Sequence, residues 1–299
     1  MIDQWFRFLA LVAVLLIAST SSLAAPVYPE IKSVVAYVLI EQEGKLVPNG
    51  TGFFVGVKDP SRPGAYSVYL VTARHVLFKP KTKDLLGKVF LRINRKDVGS
   101  DVGAVPLVPS GEKQNVFVHP DTSVDLAAVP MLLDQSKYDF KFLPDEFLTS
   151  KKDFDALHIR EGSDVFFTGL FTPYPGAQRN YPIVRFGRVA LITDEKIAWD
   201  GQDMDLYLIE AASYGGNSGS PVFFYLGSDR EPGSLVLGPP IIKLAGIMQG
   251  TFMDAQEIRA IDTAKIPISV ASMGIAAIVP AYKLRELLET EAAKKARGF

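Results

Sequence analysis

Histidine occurs three times in this 299-residue chain, at His75, His119 and His158, and cysteine not at all. Any imidazole chemistry must use one of those rings. Thiolate zinc sites, iron–sulfur clusters, disulfide frameworks and a cysteine nucleophile are excluded. One ring stands out by its setting. His75 closes the run Leu70-Val71-Thr72-Ala73-Arg74-His75-Val76, where an apolar strand enters a small-residue turn. A general base needs a rigid strand end with its ring facing a cleft, and this layout supplies one. A satisfied structural histidine is the plainer alternative.

A carboxylate in a comparable setting follows in His119-Pro120-Asp121-Thr122-Ser123-Val124-Asp125-Leu126-Ala127-Ala128-Val129. Asp125 directly precedes an apolar strand. Buried there, it would accept an imidazole N–H and fix the tautomer of a neighbouring histidine. Asp before a strand is also ordinary turn chemistry. Asp121 competes for the role, but its His-Pro-Asp-Thr turn reads as a local cap, with His119 on the surface beside it.

The most specific pattern is Ser213-Tyr214-Gly215-Gly216-Asn217-Ser218-Gly219-Ser220-Pro221-Val222-Phe223. A serine nucleophile needs a tight turn that exposes its Oγ and aims backbone N–H groups at one point. Gly215, Gly216 and Gly219 permit that turn without Cβ clashes. The N–H groups of Gly216 and Ser218 would form an oxyanion hole for a tetrahedral intermediate. The alternative is a simple glycine-rich turn.

The elements that must position these groups read as β-structure. Short runs rich in Val, Ile, Phe and Tyr recur between Gly, Pro, Asn and Asp breaks: 33–40 (SVVAYVLI), 52–57 (GFFVGV), 66–72 (YSVYLVT), 89–93 (VFLRI), 164–169 (DVFFTG), 206–209 (LYLI) and 241–247 (IIKLAGI). Such spacing indicates barrels or a sandwich. One long helix is expected from Pro280 to about Ala296, with Leu284, Leu287 and Leu288 on its apolar face. The stretch 134–163 mixes Lys, Asp and Pro and reads as a linker with room for short helices.

The order His75, Asp125, Ser218, with each residue against a strand, resembles the chymotrypsin-like (trypsin-fold) serine proteases. The motifs T-A-x-H, D-L-A and G-N-S-G-S-P carry the likeness. The closing stretch 273–280 (MGIAAIVP), followed by a helix, is similar to bacterial HtrA-type (Do-like) protease domains, here without a PDZ domain. The resemblance implies an all-β fold of two six-stranded antiparallel barrels with a C-terminal helix. Barrel one is expected at about 31–133, barrel two at about 158–279 and the helix at about 280–296.

The resemblance also implies a serine endopeptidase with His75 as general base, Asp125 as its orienting partner and Ser218 as nucleophile, hydrogen-bonded in series. No metal or organic cofactor is implied. The family's specificity pocket falls on Ala212 at the base and Met248, Gln249, Gly250 and Thr251 at the wall, an uncharged set. Where animal digestive members carry an Asp that pairs with a freed N-terminus, this chain has Asn217, so that charge pair is not expected. The alternative reading is a non-catalytic or latent trypsin-fold module that binds protein partners.

Composition narrows the partners. The chain carries 32 basic and 33 acidic side chains, a net charge of -1. Nothing in that balance pulls it onto phosphate, so nucleic acid is not expected, while protein or peptide substrates are what the resemblance implies. Residues 8–18 (FLALVAVLLIA) form an unbroken apolar run followed by small and polar residues. The run is about half the ~20 residues of a bilayer span, which suits a signal peptide ending near residue 25. Arg7 is offset by Asp3, so an uncleaved N-terminal anchor stays open as a membrane tether. Either way the remainder would be exported, periplasmic or secreted, with a role in envelope quality control or regulated proteolysis. A homo-oligomer stays open too.

Overall fold

Strands form where the apolar runs end in turn residues. The structure is a computed structural model that describes residues 27–228, 230, 231, 233, 236, 238–257 and 268–298. The N-terminal apolar run lies outside the described residues.

The first half contributes β1 (Val35–Gln42), β2 (Lys45–Lys58), β3 (Tyr66–Thr72), β4 (Lys88–Asn94), β5 (Ser100–Pro106), β6 (Phe117–Val118), β7 (Ala127–Pro130) and β8 (Leu143–Pro144). They join in one sheet, ordered β5-β4-β1-β2-β3-β7-β6, with β8 alongside β2 in parallel. The second half contributes β9 (Asp164–Gly169), β10 (Ile183–Leu191), β11 (Ile197–Trp199), β12 (Gln202–Met204), β13 (Tyr207–Glu210), β14 (Pro221–Leu226), β15 (Ile241–Glu257) and β16 (Ile268–Pro280). Six of these close into a barrel, β10-β13-β16-β15-β14-β9, while β11 and β12 form a separate hairpin.

The all-β class and the closed second barrel are as the resemblance implied. The first half differs in detail, with eight strands where six were expected and no pairing between its outer strands β5 and β6. Two local causes are visible. β6 is two residues long and meets Pro120 soon after, and β5 ends at Pro106, which has no N–H to donate.

Alternation of side chains across the pleat sorts the apolar residues into three cores. Phe54 and Leu70 face inward with Val38 and Leu91 in the first half. Phe167, Phe224 and Ile209 fill the barrel. The neighbours Phe53, Val55 and Val71 point the other way and meet Phe166, Phe223 and Ile247 of the barrel. This third core holds the two halves together. Each of these buried phenylalanines contributes roughly 1.5–3 kcal/mol over an exposed one.

The linker region holds β8 and a short helix, α1 (Lys151–Ala156), whose start is tied by Ser150 N–H donating to the Asp153 carboxylate at 2.6 Å. The C-terminal helix is two pieces, α2 (Ala281–Leu288) and α3 (Glu291–Ala296). The break follows from Thr290, whose hydroxyl accepts from Ala293 N–H and starts a fresh helix. Leu284, Leu287 and Leu288 are buried as their spacing predicts, and they join the core between the halves.

Candidate active site

Strand register brings His75 and Asp125 together. β3 and β7 pair antiparallel with Thr72 opposite Ala127, so two residues further on Arg74 lies across from Asp125. The Arg74 N–H donates to the Asp125 carbonyl at 3.3 Å. The buried Asp125 side chain then grips the next residue twice. Its Oδ1 accepts the backbone N–H of His75 at 2.9 Å, and its Oδ2 meets the ring Nδ1 at 2.5 Å. A carboxylate only accepts, so Nδ1 carries the hydrogen and Nε2 is left with its lone pair. The His75 side chain remains about half exposed (47%), open on one edge. Burial of the rest of the ring opposes its charged form. The charge and hydrogen bond of Asp125 outweigh that, Lys83 opposes them weakly, and the ring is raised above its ordinary value.

Asp121 takes no part in this pair. Its carboxylate receives the N–H and hydroxyl of Ser123 at 2.9 and 2.7 Å, the local cap its turn suggested. His119 is a correction. It is buried rather than on the surface, because α2 packs over its loop and places Glu286 3.2 Å from Nε2. The N–H of Asp121 donates to the other ring nitrogen at 3.1 Å.

The turn carrying Ser218 is folded on itself. Asn217 N–H donates to Tyr214 O at 3.0 Å, Tyr214 N–H donates back to Asn217 Oδ1 at 2.9 Å, and Ser220 N–H donates to Asn217 O at 3.0 Å. Gly216 and Gly219 have φ of 94° and 84°, a region that other residues enter at a cost. The turn is also wedged against the His75 side of the molecule. Thr51 N–H donates to Ser218 O at 2.8 Å. A Cβ on Gly219 would lie 2.1 Å from Thr51 O, 2.2 Å from Thr72 Oγ1 and 3.1 Å from Ala73 N. Gly219→Ala is therefore expected to destabilise the fold by roughly 2–5 kcal/mol, the sum of left-handed strain and overpacking. Thermal unfolding of the purified variant checks this, and an unchanged midpoint would contradict the close approach.

The expected series of hydrogen bonds is formed in its first link and not in its second. Ser218 Oγ donates to Gln249 O at 3.0 Å, and no bond to His75 is made among the described residues. Two backbone donors beside it, the N–H groups of Gly216 and Ser218, have no acceptor among the described residues. Their peptides are each held from the far side. Thr172 Oγ1 donates to Gly215 O at 3.1 Å, and Ser220 N–H holds Asn217 O. In a trans peptide C=O and N–H point in opposite directions. Anchoring both carbonyls therefore turns both N–H groups the other way. Such an arrangement can receive a developing oxyanion.

The five residues expected around a specificity pocket differ in exposure. Met248 is a correction: its side chain is fully buried inside the barrel, because pleat alternation turns it inward with Ile209 and Ile278. Gln249 is buried, Ala212 is exposed, and Thr251 Oγ1 donates to Ile275 O at 2.9 Å. Gly250 is covered by Trp199 of β11, whose Cζ2 would lie 2.9 Å from an added Cβ. A cavity of about 190 Å³ lined by His158, Arg160, Tyr225 and Arg230 contains none of these groups. Thr51 and Thr172 escaped sequence reasoning, since a lone threonine beside glycine or proline gives no signal of what its hydroxyl reaches.

The profile of the trypsin-like peptidase domain matches residues 50–228, and the chain belongs to that family. No curated protein matches the chain as a sequence relative. Among solved structures, the MamO protease domain from Magnetospirillum magneticum, in its apo form, superposes with a TM-score of 0.50 at 17% identity, covering 88% of this chain and 100% of that one. Catalytically active tobacco etch virus protease complexed with product gives 0.44 at 14% identity, over 90% and 82%. An inactive serine-to-alanine mutant of Rv3671c from M. tuberculosis gives 0.44 at 17%, over 90% and 93%. The first of these shows the shared fold. The family assignment makes the protein a trypsin-like protease acting on protein or peptide substrates.

Proposed function

We propose that this chain is an exported serine endopeptidase whose triad is Ser218, His75 and Asp125. The observation that carries the reading is the double grip of Asp125 on His75, set beside a turn whose Gly216 and Ser218 N–H groups are unengaged. In this mechanism His75 Nε2 takes the proton of Ser218 as Oγ attacks the scissile carbonyl. The two N–H groups hold the oxyanion. His75 then gives its proton to the leaving amine, and water cleaves the acyl-enzyme with His75 again as base. For this step the Ser218 hydroxyl must leave Gln249 O and turn to the imidazole.

A fluorophosphonate probe tests this directly. Wild type should label and Ser218→Ala should not. Absence of labelling, with casein present as well as absent, would leave the second reading: a latent trypsin-fold module that binds protein partners. One observation favours that alternative, namely the Ser218 hydroxyl resting on Gln249 O rather than on His75.

We also propose export through residues 1–25, either cleaved as a signal peptide or retained as a membrane tether, and a role in envelope quality control or regulated proteolysis. The apolar run 8–18 supports export. Fusing residues 1–25 to a reporter that is active only outside the cytoplasm should give activity. A silent, cytoplasmic fusion would refute export.

A further inference from the structure

The Gly216 N–H is useful only while its peptide keeps one orientation. Glycine on both sides leaves that peptide free to turn over, since neither residue has a Cβ to resist rotation. Two side-chain hydroxyls stand against such a turn. Thr172 Oγ1 holds Gly215 O at 3.1 Å, on the peptide that carries the Gly216 N–H. Thr51 Oγ1 holds Gly216 O, on the following peptide, at 2.8 Å.

Thr51 is more than a passive neighbour. It is fully buried, and its four hydrogen bonds join four segments. Its hydroxyl accepts the Leu170 N–H at 3.0 Å while donating to Gly216 O. Its own N–H donates to Ser218 O at 2.8 Å, and its carbonyl accepts Thr72 Oγ1 at 2.7 Å. The β9–β10 loop, the serine turn and the segment leading to His75 are thus referenced to one residue of β2. Gly216 itself is pressed against the same loop: a Cβ there would lie 2.6 Å from Thr172 Cγ2 and 3.2 Å from Leu170 Cδ2.

We propose that Thr51 and Thr172 are positioning residues that lock the Gly215–Gly216–Asn217 backbone with the Gly216 N–H facing the reacting carbonyl. The inference rests on the serine-protease reading above. It adds that the orientation of the oxyanion hole is set by two hydroxyls supplied from outside the serine turn. Without them the Gly215 carbonyl is free to swing toward the space the oxyanion would occupy, replacing a donor with an acceptor.

The test uses the full chain in four forms: wild type, Thr51→Val, Thr51→Ser and Thr172→Val. Valine keeps the shape of threonine and removes the hydroxyl. The fluorophosphonate labelling rate, kcat and KM on a peptide substrate, and the thermal midpoint are measured for each. Thr51→Val should lower the labelling rate and kcat by about 10- to 100-fold, below the 10²–10³ that loss of an oxyanion-hole donor itself costs. KM should stay within about two-fold, because ground-state contacts are untouched. Thr51→Ser should restore the rate. Thr172→Val, on an exposed loop, should cost about three- to ten-fold, the worth of one net hydrogen bond.

Wild-type labelling by folded Thr51→Val overturns the proposal, as does a loss confined to KM. If Thr51→Val does not fold, Thr172→Val decides, and a wild-type rate there overturns the lock. Failure of the underlying reading looks different: wild type itself would not label, and the four forms would be indistinguishable.

Discussion

Replacing His75 with alanine is expected to lower peptide turnover by about a million-fold. On the proposed mechanism the size follows from the isolation of the base. His119 is tied to Glu286 and to the N–H of Asp121, and His158 belongs to the loop after α1, so neither stands in. Without His75 the Ser218 hydroxyl must give its proton to water, and the leaving amine must find one there. Ser218→Ala should cost as much, and the double variant no more than either, because both residues serve one proton transfer. A residual rate of about 10³–10⁴ over water should persist, from binding and the backbone donors. Initial rates on a fluorogenic peptide for the two single variants and the double variant check this. A double variant slower by the product of the single losses would mean that the residues act separately, and the triad reading would fail.

Asp125→Asn is expected to lower kcat by about 10⁴. Both oxygens of Asp125 are occupied as acceptors, one by the His75 backbone N–H and one by the ring. An amide has a single oxygen. If it faces the backbone, its NH₂ group meets Nδ1 and moves the imidazole hydrogen to Nε2, the tautomer that cannot accept the serine proton. If it faces the ring, the backbone bond is lost and the strand end loosens.

The pH profile should change with it. Activity needs the neutral ring, so it falls as pH drops through the His75 pKa. In wild type burial opposes the charged ring, Asp125 outweighs burial, and the limb lies above the ordinary 6.5. In the variant the carboxylate is gone while burial and Lys83 remain, so the limb should move down. Labelling rate against pH for both forms measures it. A limb that stays in place or rises would remove Asp125 from its role.

The His75–Asp125 pair was legible in the sequence because both residues sit at the ends of apolar runs. Such ends are fixed by neighbouring strands, and β3 and β7 prove to be paired with Thr72 opposite Ala127. The serine turn was legible through its glycines, whose positive φ at Gly216 and Gly219 no other residue reaches cheaply. The closed barrel was expected from the resemblance, and the extra strands of the first half were not. A two-residue strand such as β6, or a parallel one such as β8, carries too few side chains to show a period.

Met248 was misplaced for a different reason. A one-residue change of direction at the irregular pairing between Met248 and Gly250 decides which side chain enters the barrel, and nothing in the run 244–251 announces it. His119 was misplaced because its partner Glu286 lies far along the chain, on a helix whose docking depends on the core between the two halves.

The neutral amide of Asn217 has one further consequence. It donates to Leu170 O at 2.6 Å and accepts from Tyr214 N–H at 2.9 Å, so Asn217 itself is held by uncharged backbone groups of the second half of the molecule. A brace of this kind is assembled as the barrel folds and calls on no newly exposed amine. Attaching a carrier polypeptide ahead of Val27 should therefore leave those two bonds, and the turn they hold, undisturbed.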